Sequence, residues 1–504
     1  MPSPLRSAQR RTLAGLGVAL ALAVGVAVRF LTTSPLWLDE ALTVRIAGMP
    51  LGKIGTALRR DGHPPLYYWL LHGWIDLFGS GNVAVRSLSG VFALACLPLM
   101  WKVGDRVGGP RVARWSLLLL ALSPFAIRYA TEARMYSMVT FLALCLALLL
   151  DTVLDRPRPT VVVGLALVTG ALLWTHYWSL YLLAVVGALV LAKWWVDRPA
   201  RPATRWAIVG LAAGGLLWLP WIPTLLEQAA HTGTPWALPS RPTVVAQTTI
   251  ADFGGGGFAE ALLLGTLLVV LVVAAFAHSD RVPAASGGLR PMDVRTMAIV
   301  AGATMLVGSG AAYLTNGAYA PRYASVIVPF FLVVAAVGIT RLRPSWVQTA
   351  LVAGTVFLAL IAIGKNIGDQ RTRADDIAAT ITAKATDDDI VVVCPDQLGP
   401  SLARVLDQDH SHLAVVPYPA GGDAHVVDWR DYAKRNAKAD PTAFAKAILA
   451  RADGAPIWVV WNGTYRTFAG QCETMLATLS QARGEQVGVD FGGAFEFATL
   501  VRFP

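Results

Sequence analysis

A multi-spanning α-helical membrane protein with a polar α/β domain at its carboxyl end is the fold class that three features of this sequence predict. Over 504 residues the chain is 55% hydrophobic and only 15% charged, with a mean hydropathy of +0.53. Soluble domains carry roughly 25% charged residues. Apolar runs of membrane-spanning length recur from Leu13 to Ile363, and each run of about 20 such residues suffices to cross a bilayer. Beyond Gly364 the pattern changes to short β-branched runs that alternate with helical stretches, the signature of a small α/β domain.

The formal charge of +10 does not indicate nucleic acid. The arginines and lysines gather in short links between apolar runs, as the positive-inside rule requires. The first run, 13–31, follows Arg10-Arg11 and has no small-x-small cleavage site, so it reads as a retained helix. The remaining spans are read at 83–101, 115–130, 136–150, 161–174, 180–195, 206–223, 261–277, 297–313, 323–339 and 347–363, giving about eleven in all. Leu66–Phe78 is apolar and aromatic but short. Counting it as a span would put Lys102, Arg106, Arg111 and Arg114 outside; excluding it puts them inside, together with the 151–159, 198–205, 278–295 and 341–343 links. It is therefore read as a helix on the outer surface, with its tyrosines and tryptophans at headgroup level.

That topology makes a multi-pass plasma-membrane protein with a cytoplasmic amino end. Segments 32–82, 128–134, 175–178, 224–260 and 315–322, and everything after Gly364, lie outside. Gly254–Gly257 mark the 224–260 segment as a candidate for a mobile loop. Residues 1–364 form the membrane domain with its outer loop 32–82, and residues 365–504 the extracytoplasmic α/β domain. In the latter, strands are expected at 390–394, 412–417 and 457–461, and helices at 401–406 and 468–479. Asn462-Gly463 is a turn pair. Cys96 and Cys145 fall within spans, whereas Cys394 and Cys472 fall in the tail, where an oxidising compartment would let them pair.

Asp39-Glu40 stands just past the first apolar run. Carboxylates are costly inside hydrocarbon and tend to be functional at its edge. The flank Pro35-Leu36-Trp37-Leu38 holds this pair at the interface, where it can face water and still reach a lipid-borne substrate. Asp39 is the candidate general base. Glu40 is either its helper or the cap of a helix starting near Ala41, since acids favour helix amino ends. A phosphate leaving group needs fixed positive charge or hydrogen-bond donors, and His63, Arg128, Arg134 and Arg322 are the outer-face candidates. Residues 128–136 place two arginines, Glu132 and two tyrosines at one membrane edge. The arginines are six apart, so a turn or an unwound segment must bring them together. Arg322-Tyr323 runs against the positive-inside tendency. Glu132, Tyr136, His176, Tyr177 and Tyr323 are candidates for further substrate contacts. Arg86, just inside a span, either snorkels outward or pairs with an acid such as Asp61. No spacing suits a zinc site, no cofactor is demanded, and the tail has no glycine-rich nucleotide fingerprint. Asp39, Glu40 and Glu132 could hold a divalent cation beside a phosphate.

These strings resemble those of the GT-C membrane glycosyltransferases, in the family 39-like branch of protein O-mannosyltransferases and the lipid A aminoarabinose transferase. The resemblance is carried by Asp39-Glu40, by His63-Pro64-Pro65-Leu66-Tyr67-Tyr68-Trp69, by Leu77-Phe78-Gly79 and by Arg86. Glu132-Ala133-Arg134-Met135-Tyr136 after Ser123-Pro124-Phe125 also looks like the family's second outer loop. The resemblance is strong over 34–140, moderate to residue 340 and absent from the tail. It implies a GT-C fold, Asp39 as general base, His63 where the lipid phosphate is met, a polyprenyl-phosphate sugar donor and inversion at the anomeric carbon. An envelope glycan, lipid or protein would be the acceptor. The Ala/Gly/Val/Arg-rich composition resembles that of high-GC actinobacteria, whose envelope chemistry makes mannose and arabinofuranose the leading sugars by association.

A transporter or flippase of lipid-linked glycans is the alternative. It calls for polar side chains along a route through the membrane centre. The span centres here are nearly free of ionisable residues, which favours chemistry at one surface. A scaffold without activity would leave Asp39, His63 and Arg134 without a task. Labelling of single cysteines in whole cells tests the topology. A cysteine at residues 102–114 is expected to resist an impermeant reagent added outside, and modification there would restore Leu66–Phe78 as a full span.

Overall fold

Apolar helices build the first of two compact units, residues 17–31 with Arg86–Ile222 and Pro239–Ile367. The computed structural model describes residues 17–233, 239–277, 290–342, 346–409, 411–484 and 486–504. Arg10-Arg11, the first residues of the 13–31 run, Arg343 and most of the 278–295 link lie outside them. Among the described residues six helices are long and apolar enough to cross a membrane: Asn82–Ala121, Tyr136–Asp155, Ser179–Val196, Arg198–His231, Val294–Leu314 and Trp346–Gly368. Gly17–Phe30, Pro159–Thr175, Ala259–Ala274 and Val328–Arg341 are shorter apolar helices. Exposed Leu167, Leu216, Leu306, Leu314 and Phe357 give the unit the apolar exterior that lipid contact requires. Inside, backbones touch through small residues, as helices in membranes do. A Cβ on Gly338 would lie 1.8 Å from the Leu271 carbonyl oxygen.

Several boundaries differ from those read in the sequence. The 102–114 link is largely helical, because Asn82–Ala121 runs on and breaks only at Gly108 and Gly109, where φ is −156° and +75°. The 115–130 run is in turn divided: its first helix ends at Ala121, and Ser123 caps a separate helix, Pro124–Ala130, by accepting from the Ala126 amide at 3.2 Å. The 323–339 span begins late, since Pro321–Val326 is 3₁₀-helical and the helix proper is Val328–Arg341. Within the 224–260 segment, Pro242–Phe253 is a helix. Gly254 packs so tightly after it that a Cβ would sit 1.8 Å from the Ala261 carbonyl oxygen. Arg29, two residues before the end of the 13–31 run, is buried and donates to the carbonyls of Leu120 at 2.7 Å, Ala121 at 2.9 Å and Gly25. It thereby gives the carbonyls of the helix's last turn partners beyond those in the backbone.

The second unit gathers Thr32–Val85, residues 223–233 and Gly368–Pro504. A five-stranded sheet of order β2-β1-β3-β5-β4 is its centre. The strands are β1 (Ile390–Cys394), β2 (Ala414–Pro417), β3 (Ile457–Trp461), β4 (Gln486–Phe491) and β5 (Ala498–Phe503). β1 is parallel to β2 and β3, whereas β5 is antiparallel to β3 and β4. Alternate strand residues face two cores. One holds Val391, Val393, Trp458 and Leu500 under the helices Ala374–Thr382 and Gly399–Gln408. The other joins Ile390, Val392, Val459 and Phe503 to Met475, Leu479, Trp37, Leu38 and Leu42. Trp37, Leu38 and Leu42 belong to the loop after the first apolar run, so that loop is built into the tail's core. A disulfide joins Cys394 to Cys472. Three helices fill the remainder of the loop: Leu38–Ala47, Leu51–Asp61 and Leu66–Phe78. The last buries Tyr67, Tyr68 and Leu71 and exposes Leu77 and Phe78. At about 1.5 Å per residue it is too short to cross a bilayer.

Candidate active site

Pro35 and Trp37 end the extended entry to the helix Leu38–Ala47, and both acids fall in its first turn, where the helix dipole favours negative charge. The two are not equivalent. Glu40 is fully buried and its carboxylate meets Arg371 Nη1 at 3.4 Å, with both side chains at 0% exposure. Asp39 is half-buried. Glu40 is thus held in an ion pair within the first turn of the helix. Glu496 caps the start of the helix from outside it: its Oε1 accepts from the Leu38 amide at 2.7 Å and its Oε2 accepts from Ser401 Oγ at 3.1 Å. Burial pushes the Glu496 carboxyl up to about 8, the Leu38 and Ser401 hydrogen bonds oppose this, and the charge of Asp39 adds to it. Asp39 also acts on the buried Tyr465 hydroxyl. Glu496 and Tyr465 are therefore its electrostatic neighbours.

His63 lies in the same unit. Its Nδ1 meets Asp61 Oδ2 at 2.9 Å, and Tyr68 donates to the same oxygen at 3.1 Å. Gln228 donates to the carbonyl of Leu58 at 2.7 Å and more distantly to that of His63. Gly62, with φ of +94°, makes the left-handed turn between the helix Leu51–Asp61 and His63, a conformation that costs other residues a Cβ clash.

The arginine cluster belongs to the first unit. The helix Pro124–Ala130 ends at Thr131 and the chain turns before helix Tyr136–Asp155, so the unwound segment needed between Arg128 and Arg134 is present. Glu132 sits in that turn, buried, with Oε2 3.8 Å from Arg128 Nε. The Arg134 amide donates to the Glu132 carbonyl at 2.7 Å, and Ser89 Oγ donates to the Arg134 carbonyl at 2.8 Å. Asp252 and Tyr129, which sequence reasoning did not select, complete the group: Tyr129 donates to Asp252 Oδ2 at 3.0 Å. Burial raises the Asp252 carboxyl to about 6 against the opposing pull of that hydrogen bond, Arg128 and Arg322, which brings Arg322 into the same field. An acid just before a glycine run was the signal that could have found Asp252.

Aromatic rings continue from there. Tyr129 meets Tyr136 at 5.1 Å between centroids, Tyr136 meets His176 at 5.8 Å, and His176 meets Tyr323 at 5.3 Å. The Arg322 guanidinium lies 6.0 Å from the Tyr323 ring. His176 Nδ1 accepts from the Trp178 amide at 3.2 Å, and Tyr177 accepts from Trp221 Nε1 at 3.0 Å. Both sit in the tight turn between the helices Pro159–Thr175 and Ser179–Val196. Within this unit the structure therefore brings together Arg128, Glu132, Tyr136, His176, Arg322 and Tyr323. Within the other it brings together Asp39 and Glu40. Among the described residues no three His, Cys, Asp or Glu side chains group as metal ligands.

A family model described as dolichyl-phosphate-mannose-protein mannosyltransferase matches residues 62–223. The fold is that of ArnT and of an archaeal oligosaccharyltransferase. The chain is similar to ArnT from Cupriavidus metallidurans in the apo state, at 15% identity and a TM-score of 0.63, over 97% of this chain and 98% of that one. The same enzyme bound to undecaprenyl phosphate gives a TM-score of 0.59 at 15% identity and the same coverage. The apo oligosaccharyltransferase of Archaeoglobus fulgidus gives 0.54 at 12% identity, over 95% of this chain and 74% of that one. No curated protein matches the chain by sequence.

Glu496 makes stability depend on pH in a definite direction. Its folded value of about 8 stands above its ordinary 4.5, so the native state keeps a proton that the unfolded chain releases. The stability this contributes is present below pH 4.5 and is lost as pH rises to about 8. Asp396, raised by burial to about 7, acts in the same sense and is about half titrated at pH 7, so it adds to the slope at the start of the pH 7–8 range. Thermal unfolding between pH 7 and 8 is therefore expected to show a falling midpoint whose slope Glu496→Gln reduces. Equal slopes for parent and variant would show that Glu496 is already ionised there.

Proposed function

We propose that this GT-C chain is an inverting glycosyltransferase that moves a sugar from a polyprenyl-phosphate donor to an acceptor hydroxyl at the outer membrane surface. The observation that carries the reading is the asymmetry of the acid pair. Glu40 is fully buried in an ion pair with Arg371, whereas Asp39, one residue away, is half-buried and so reachable from outside. A general base must be reachable by the proton it takes and held still while it does so. Asp39 meets both needs.

In this mechanism Asp39 removes the acceptor hydroxyl proton as that oxygen attacks the anomeric carbon. The bond from the anomeric carbon to the phosphate oxygen breaks and its electrons leave with the polyprenyl phosphate. Attack opposite the leaving group inverts the centre. Arg128, Arg134, Arg322 and His63 are assigned to the phosphate, because charged hydrogen bonds to developing negative charge stabilise such a leaving group. Glu132 sets the Arg128 side chain, and the rings of Tyr136, His176, Tyr177 and Tyr323 offer apolar faces to the sugar or the first prenyl units. The amino end is cytoplasmic and the tail extracytoplasmic in this reading. The family match to mannosyltransferases supports mannose as the sugar, the composition leaves arabinofuranose beside it, and an envelope glycan, lipid or protein is the acceptor.

Asp39→Asn preserves size and much of the hydrogen bonding but cannot take the proton. Turnover of the purified protein in nanodiscs is expected to fall by roughly 10²–10⁴-fold with the melting temperature unchanged. Glu40→Gln is expected to act differently. It strands a buried guanidinium, a loss of roughly 3–5 kcal/mol for a buried pair, so melting temperature falls with activity. Asp39→Asn turning over at the parental rate would refute the assignment.

A further inference from the structure

The tail of the chain holds the first turn of the Asp39 helix by contacts that the proposed reaction does not use. Residues 370–372 and 495–496 lie side by side: the Phe495 and Glu496 amides donate to the Gln370 and Arg371 carbonyls at 3.4 and 2.8 Å, and Thr372 bridges Glu496. From this paired segment two buried side chains reach the helix. Arg371 meets the Glu40 carboxylate, and Glu496 accepts the Leu38 amide. The Arg371 amide in turn donates to Ser34 Oγ at 2.8 Å, and Gln370 Nε2 donates to Thr33 Oγ1 at 3.1 Å. Phe495 stands edge-on to Trp37 at 5.4 Å.

We infer that Arg371 and Glu496 are positioning residues that fix the rotation and the start of the helix bearing Asp39, and so aim the base. This rests on Asp39 as the base. Consecutive helical residues point about 100° apart around the axis. With Glu40 drawn inward to Arg371 and the Leu38 amide drawn to Glu496, the helix cannot rotate, and Asp39 takes the one direction left to it. Neither contact involves substrate. A small misplacement of a catalytic group made far from the chemistry can cost about 10²-fold in rate, which is why a grip of this kind matters to turnover and not only to folding.

The test uses the full chain in nanodiscs with undecaprenyl-phosphate mannose and undecaprenyl-phosphate arabinofuranose as donors, together with hydrogen exchange at the amides of residues 38–41. Glu496→Gln keeps an acceptor for the Leu38 amide, whereas Glu496→Leu removes it. The expected result is that Glu496→Leu lowers kcat by about tenfold or more while donor KM stays within about threefold, and that Glu496→Gln returns kcat to within about threefold of the parent. Amide exchange at 38–41 is expected to quicken in Glu496→Leu alone. Should Glu496→Leu fail to fold, the double substitution Glu40→Met with Arg371→Met replaces the buried pair by apolar side chains, a change that proteins tolerate; it is expected to fold, with lowered kcat and unchanged KM. Unchanged kcat in a folded variant, a matching rise in KM, or Glu496→Gln no better than Glu496→Leu would overturn the inference. If the parent uses neither donor, the exchange result alone decides, and unchanged exchange overturns it. Parental activity in Asp39→Asn alongside a damaged Glu496→Leu would remove the base and leave the grip standing.

Discussion

Glu40 and Arg371 form an ion pair with no exposure on either side chain, 331 residues apart in the chain. Removing two charges from water is expensive, and their attraction offsets the cost only where geometry and neighbouring hydrogen bonds are good. Such a pair tolerates little displacement, so it constrains everything attached to it. On one side it holds the helix of Asp39; on the other it holds the segment that pairs with residues 495–496 and leads into the five-stranded sheet. Trp37, Leu38 and Leu42 then bury themselves in the core formed by the strands and by the helix of Cys472. The tail is thus part of the structure that sets the acid pair, and the disulfide between Cys394 and Cys472 fastens the strand and the helix on which that core is laid.

In the other unit the organising constraint is the break between helices. A guanidinium at a membrane edge must find polar company, and an uninterrupted helix would have spread Arg128 and Arg134 over different faces. Ser123 and Pro124 restart the chain as a short helix, and residues 131–135 turn before Tyr136 begins the next. The turn leaves backbone groups to be satisfied, and Arg134 and Ser89 do so. Asp252 balances the positive charge from a separate helix, with Tyr129 as donor. The aromatic rings from Tyr129 to Tyr323 pack around this polar core and give it a rigid frame.

Much of this was legible because the signals were local. Leu66–Phe78 is bounded by Pro65 and Gly79, and the helix has those limits. Ile390–Cys394 and Ile457–Trp461 are continuous β-branched or aromatic runs ended by Pro395 and Asn462, and both are central strands. Asn462 makes the turn its sequence suggests, accepting from the Thr464 amide at 2.8 Å. What was not legible depended on distance along the chain. β4 carries a glycine and an acid in its short run, so its pattern is weak. The 102–114 stretch looks like a link by charge, yet charged residues at the ends of membrane helices can continue the helix into water. Arg371 and Glu496 look like ordinary tail residues until the fold sets them against Glu40 and the Leu38 amide, and no spacing within the chain announces a partner 331 or 458 residues away.

The central claim is that Asp39 faces the reacting carbon of a lipid-phosphate-linked sugar. A structure of Asp39→Asn in nanodiscs with undecaprenyl-phosphate mannose bound tests it most directly, since the substitution preserves the side chain's shape and stalls the reaction. The account predicts that residue 39 lies on the face of the anomeric carbon opposite the phosphate, leaving room for an acceptor hydroxyl within about 2.6–3.2 Å of its side chain or through one water. A donor bound with its phosphate beside residue 39, or with its sugar directed away from that residue, would contradict it.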